Sequence, residues 1–317
     1  MKGGNEMKKT KKPWKSSDYE LVLMASLSVL FLFVFAYLPM YGITLAFKDG
    51  DGQINVLRSL FYGEWVGFDN FKAFLIDEKF YQVLGNTLGL NLLMLMFEFP
   101  APILLALLIN EVQGKRYKKV VQSVSIFPHF LSWTIFGGVI LAVTNVNTGV
   151  VNVVLKALGL SSEQNPVNLA TAEYIWLLII LSSLIKSTGW GSIIYLTAIT
   201  GIDPALYEAA TIDGAGRFAK MRYITLPSIM PTITLFLILR LSNMLSNSFE
   251  QFYVFQNGAN LVTSEVLSTY IWKMSIGGSD RRFSYSAALG LFNSLIGFFL
   301  LFLGNLTSKK LTGKGVF

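Results

Sequence analysis

The stretch Gly201-Ile202-Asp203-Pro204-Ala205-Leu206-Tyr207-Glu208-Ala209-Ala210-Thr211-Ile212-Asp213-Gly214-Ala215-Gly216-Arg217-Phe218 lies between two long apolar runs, 173–200 and 229–250. Asp203 is placed to cap the first amides of a helix, and Pro204, at the first helical position, needs no hydrogen-bond partner there. Leu206, Ala209 and Ala210 follow at one-face spacing, which predicts a short helix with small residues on a single side. Gly214 and Gly216 allow the positive φ that ends this helix and turns the chain. A second helical piece carries Phe218, Met221 and Ile224 and is expected to stop where Pro227 announces the next apolar run. A helix, a tight turn and a helix therefore form a knob suited to a groove on another protein. The plainer reading is the amphipathic helix that any long loop can contain.

Working outward, the two flanking runs are part of a series. A bilayer core of about 30 Å takes about 20 apolar residues as a helix. Six stretches meet that length, at about 21–47, 84–109, 120–144, 173–200, 229–250 and 284–306. The expected fold class is an all-α integral membrane protein with six transmembrane helices. The first run follows a lysine-rich start but is too long for a signal-peptide core and has no small-residue cleavage site, so it reads as a retained helix. The sequence divides into a basic segment, 1–20, and a single membrane domain, 21–317, with no convincing internal repeat and no visible pair of interrupted helices.

Composition agrees with this reading and excludes other classes. Hydrophobic residues make up 53% of the 317 and charged residues only 14%, well away from soluble usage. There is no cysteine, so neither disulfides nor thiolate metal sites are available, and a single histidine, His129, excludes a multi-histidine metal centre. The net charge of +7 is not a nucleic-acid footprint, because the charges lie between the apolar blocks. Segments 1–20, 110–119, 201–228 and 307–317 hold 16 Lys and Arg against 8 in the alternate segments, which places both termini and the 201–228 loop in the cytoplasm.

Glu208-Ala209-Ala210, Asp213-Gly214-Ala215-Gly216 and Ile224-Thr225-Leu226-Pro227 resemble the EAA loop of permease subunits from binding-protein-dependent ABC importers. Gly67-Phe68-Asp69-Asn70-Phe71 and Asn86-Thr87 resemble carbohydrate-importer permeases. Pro39 to Ile43, Leu108 to Val112, Pro128 to Trp133 and Phe249-Glu250-Gln251 resemble the subgroup importing complex oligosaccharides. The resemblance implies a multi-pass protein of the bacterial cytoplasmic membrane. Its 201–228 loop would be a coupling helix, with Glu208, Ala209, Ala210, Asp213, Gly214, Ala215, Gly216, Leu226 and Pro227 docking on an ATPase. It implies as partners a second homologous permease, an ATPase dimer, an extracytoplasmic solute-binding protein and a carbohydrate. ATP and Mg are expected on the ATPase and no cofactor on this chain, which lacks the Gly-x-x-x-x-Gly-Lys-Ser/Thr loop that cradles phosphates.

Residue chemistry adds candidates for the substrate pathway. Aromatic faces stack on sugar rings and amides or carboxylates share hydrogen bonds with hydroxyls, which selects Trp133, Asn243, Asn247, Glu250 and Asn293. An Asn in a membrane helix more often bonds across to a neighbouring helix. Glu98, Lys186 and Arg240 fall inside apolar runs, where an ionisable group is costly; pairing between helices is the favoured reading for Glu98 and Arg240. His129 beside Pro128 is read as structural. No catalytic constellation is visible. The competing class is an ion-gradient-driven secondary transporter or channel.

Overall fold

The computed structural model describes residues 16–50, 55–162, 166–246, 248–278 and 281–312, and among them there is no β-strand. Long apolar segments without water must satisfy their amides internally, and they do so here as helices. The first long helix, α1, is Asp18–Phe47. Two short helices, α2 at Val56–Tyr62 and α3 at Asp69–Leu75, lead to the 34-residue α4, Glu78–Glu111. A bent pair follows, α5 at Lys115–Phe130 and α6 at Trp133–Val143, and then the short α7, Val150–Ala157. Two further membrane-length helices, α8 at Ile175–Thr200 and α10 at Arg217–Ser242, flank α9, Pro204–Ile212. Three short helices, α11 at Phe249–Phe255, α12 at Leu261–Ser264 and α13 at Leu267–Trp272, precede the long α14, Phe283–Thr312.

Two of the predicted runs are not continuous helices. The run 120–144 is bent by 105° between α5 and α6. Pro128 sits in a tight last turn, Leu131 and Ser132 are extended, and the Ser132 hydroxyl accepts from the Ile135 amide at 3.2 Å to start α6 anew. The run 229–250 ends early, at Ser242. There the Ser242 hydroxyl and the Asn243 amide both donate to the Leu239 carbonyl at 2.8 Å, taking over an acceptor that the helix would otherwise have to satisfy, and helix resumes only at Phe249. The expectation that no helices are interrupted is thereby corrected. A third difference concerns Pro227, which does not start a new helix. It lies inside α10, after a widened turn at Met221–Thr225 that accommodates the missing amide and the ring.

α8 occupies the centre, packed against the second half of α4 and against α5. Its contact with α5 is so close that a β-carbon on Gly189 would stand 1.9 Å from the Ser125 carbonyl oxygen, so only glycine fits. α10 lies along α14, and the end of α1 packs against α14. The most apolar window of α1 has no buried residue. At the other end of the molecule Asp77 ties three elements together: its Oδ1 accepts from the Lys79 amide at 2.9 Å to cap α4, and its Oδ2 accepts from the hydroxyls of Tyr270 in α13 and Tyr285 in α14 at 3.2 and 2.8 Å.

Candidate coupling loop and membrane cavity

α9 is assembled as its residues require. The Asp203 carboxylate accepts from the Ala205 amide at 2.9 Å, and Pro204 opens the first turn. At the far end the Ala215 amide donates to the Ala210 carbonyl at 2.8 Å and the Gly214 amide to that of Thr211 at 3.1 Å, closing the helix with a left-handed Gly214 of φ +77°. Gly216 sits at φ −71°, so the positive φ expected of it is not used. Leu206, Ile212 and Phe218 are exposed on this knob, as are Glu208, Ala209 and Asp213. Leu226 and Pro227 stand apart from it, in the body of α10.

What ties the knob to the membrane helices is a set of contacts that sequence reading missed. The Tyr207 hydroxyl lies 2.9 Å from that of Thr225, which is buried in the widened turn of α10. Lys220 donates to the Thr211 hydroxyl at 2.7 Å. α8 leads into Asp203 through Gly201 and Ile202, and α10 follows directly from Gly216, so α9 is joined to two membrane-length helices. The signal was present only as polar residues at helical spacing, with nothing to show which of them would meet.

A cavity of about 490 Å³ opens between α4, α5, α8 and α10, lined by Glu98, His129, Trp190, Arg240 and Asn243 among others. Its depth follows from helix rise and contact: Glu98 lies about 20 Å before the end of α4 and Lys186 about 21 Å before the end of α8, at 1.5 Å per residue, and Arg240 reaches the level of Glu98 by their contact at 3.0 Å. The ionisable groups of three helices thus share one layer, and both helix breaks fall in it. Irregular backbone at such depth is tolerated where it lines a cavity.

Each charge in this layer has a partner. Arg240 Nη2 lies 3.0 Å from Glu98 Oε2, as expected of a pair between helices. Lys186, which the sequence left unassigned, donates to the carbonyl oxygens of Pro128 and His129 at 3.1 Å each and to that of Leu131. The ammonium therefore satisfies the carbonyls that end α5 and stands at the negative pole of its dipole. The same ammonium lies 5.2 Å from the centre of the Trp133 ring. His129 stacks on Trp190 with ring centres 4.6 Å apart and planes 3° from parallel, presenting a flat aromatic face in the cavity.

The predicted pathway residues separate on this geometry. Asn243 lines the cavity. Trp133 does not: it packs beside Phe136 and under Lys186. Glu250 is exposed in the first turn of α11, within electrostatic reach of Lys186. Asn293 sits in α14 with a buried Oδ1 that has no hydrogen-bond partner among the described residues. Asn247 lies outside the described residues. His129 and Trp190 are 61 positions apart, and no spacing rule brings them together.

Residues 99–313, which hold all of the cavity lining but Glu98, both helix breaks and α9, match the family of binding-protein-dependent transport system inner membrane components. The chain belongs to that family. It is thus a permease subunit of an ABC importer, and the secondary-transporter alternative falls away. The permease is 41% identical to Protein LplB of Bacillus subtilis over 95% of its own length and 92% of that protein's. It is 38% identical to the polygalacturonan/rhamnogalacturonan transport system permease protein YteP of the same organism, over 94% and 90%. Among solved structures it is similar to a chain of a bacterial ABC transporter involved in the import of the acidic polysaccharide alginate, at 36% identity and a TM-score of 0.83, covering 93% of this chain and 97% of that one. A chain of a bacterial alginate ABC transporter in complex with an alginate pentasaccharide-bound periplasmic protein gives 36% identity and a TM-score of 0.84, covering 95% of this chain and 97% of that one.

Proposed function

We propose that this permease passes an oligosaccharide through the cavity between α4, α5, α8 and α10, and that α9 couples it to ATP hydrolysis on a separate ATPase. The observation that carries the reading is the junction of α9 to both α8 and α10, the helices that wall the cavity. In this scheme Glu208, Ala209, Ala210, Asp213, Gly214, Ala215 and Gly216 present the docking surface, and Leu226 and Pro227, in the body of α10, belong to the helix that receives the movement. ATP and Mg belong to the ATPase dimer, because this sequence has no phosphate-cradling loop. Both termini and α9 lie on the cytoplasmic side, where Lys and Arg are concentrated.

An oligosaccharide is the favoured cargo because a relative matching 94% of the chain is named for polygalacturonan and rhamnogalacturonan transport and one matching 78% for arabinooligosaccharide transport, and the similar solved transporter is involved in alginate import. By the same likeness an external solute-binding protein delivers the sugar, and a second permease, implied by the resemblance of the 201–228 loop, completes the pore. The stacked face of His129 and Trp190 suits a pyranose ring. Asn243 spends its amide donor on its own helix, so its carbonyl oxygen is the group offered to a hydroxyl.

The test is ATP hydrolysis in proteoliposomes holding this chain, its partner permease, the ATPase and the binding protein, screened across oligosaccharides. Stimulation by a sugar, abolished by Glu208→Lys with membrane insertion intact, supports the reading. Uptake by this chain alone, following an ion gradient, overturns it.

A further inference from the structure

Resting on the oligosaccharide reading, we propose that the cavity is built for sugars bearing a ring carboxylate. Arg240 is the carboxylate-binding residue, and Glu98 holds it in place through one of its donors. A guanidinium has five donors in a planar fork, and the contact with Glu98 uses one of them, Nη2 to a single carboxylate oxygen at 3.0 Å. No other hydrogen bond to this guanidinium occurs among the described residues. The side chain of Arg240 is 36% exposed and that of Glu98 15%, so the cation fronts the cavity and the acid lies behind it. An ion pair serving only to hold α4 against α10 would gain most by using both carboxylate oxygens.

Arg240 is also the only lysine or arginine in the described cavity lining. Lys186, at the same depth, has spent its donors on the carbonyls of Pro128, His129 and Leu131. An anionic sugar therefore meets one cation with donors to spare. A neutral sugar offers the guanidinium only hydroxyl acceptors, a weaker contact than a carboxylate makes. For a uronate, by contrast, leaving water at this depth is costly unless a cation receives it. The donors that Glu98 leaves unused can receive both oxygens of a sugar carboxylate in a fork, while Glu98 keeps its contact with Nη2 and is not left unpaired.

The experiment uses the full transporter in proteoliposomes and compares uptake of oligogalacturonate with uptake of the same oligomer fully methyl-esterified. Three variants are measured: Arg240→Gln, Arg240→Lys, which keeps the charge and loses the fork, and Glu98→Gln, which removes the carboxylate partner. Arg240→Gln is expected to lower the acid-to-ester uptake ratio at least tenfold and Arg240→Lys to lower it severalfold. Glu98→Gln is expected to keep it or raise it. The ratio is measured with one binding protein throughout, so the selectivity of that protein cancels, and both substrates report on a variant that merely assembles poorly. A wild-type ratio that Arg240→Gln leaves unchanged overturns the carboxylate role while oligosaccharide import stands. Failure of every oligosaccharide, charged or neutral, to stimulate wild-type ATP hydrolysis overturns both.

Discussion

The Nζ of Lys186, in the middle of α8, lies 3.1 Å from the carbonyl oxygens of both Pro128 and His129, so one helix closes the broken end of another. The bend that shapes the cavity wall is thus held by a side chain 57 and 58 residues further along the chain. Lys186→Met keeps the length of the side chain but orphans the carbonyls it serves. Each buried acceptor left without a donor costs about 1–3 kcal/mol. The expected result is a clear fall in the thermal unfolding midpoint of the detergent-solubilised complex, with partial recovery in Lys186→Arg. An unchanged midpoint in Lys186→Met would show that the break is held by Pro128 and Ser132 alone.

Gly214 stands at φ +77° with open space around its α-carbon, so strain, not collision, decides what it tolerates. A β-branched residue there costs about 1–2 kcal/mol or more in backbone strain. Gly214→Val is expected to insert normally yet to co-purify less of the ATPase, and Gly214→Asn, which accepts the left-handed region better, to lie between it and the wild type. Full ATPase retention in the valine variant would contradict this.

The contact between Tyr207 and Thr225 is the one direct side-chain tie from α9 into the buried turn of α10 that we single out as a lever. Tyr207→Phe removes a single oxygen and costs about 0.5–1.5 kcal/mol of stability. Its larger effect is expected on coupling: fewer sugars moved per ATP hydrolysed, with ATPase binding unaltered. Thr225→Val should give the same phenotype, and the double variant should add little, as for two residues sharing one interaction. Additive effects in the double variant would rule out a shared lever.

Asp77 separates two roles on its two oxygens, one capping α4 and one receiving Tyr270 and Tyr285. Asp77→Asn can keep the cap while losing the acceptor for the phenols, at about 1–3 kcal/mol. Burial is the main cause that holds the Tyr270 phenol above its ordinary value of 10.0. A group held neutral in this way contributes stability that is complete below the ordinary phenol range and is lost as pH rises through it. Thermal melts from pH 7 to 11 should therefore show a steepening loss only above about pH 10, and the Asp77→Asn midpoint should lie below the wild type throughout the range. A flat profile to pH 11 would remove Tyr270 from the account.

The sequence by itself determined that this is a helical membrane protein. Apolar runs of bilayer length can satisfy their amides in no other way without a barrel, and the density of such runs is a one-dimensional property. It also determined α9, because capping and chain reversal depend on neighbours: Asp203 and Pro204 start the helix and Gly214 stops it. Glu98 and Arg240 were legible as costly charges in apolar surroundings that call for pairing between helices, and the structure decided that they pair with each other.

Only the tertiary structure decided where the helices break and what those breaks build. The bend at Leu131–Ser132 is sustained by Lys186 from another helix, and the aromatic wall is made from His129 and Trp190, which approach each other only once α8 packs on α5 through Gly189. These are contacts of long sequence separation, set by how helices pack and not by what each helix contains. That is why Trp133, chosen for its ring, lies under Lys186, while Trp190, which no local pattern selected, lines the cavity.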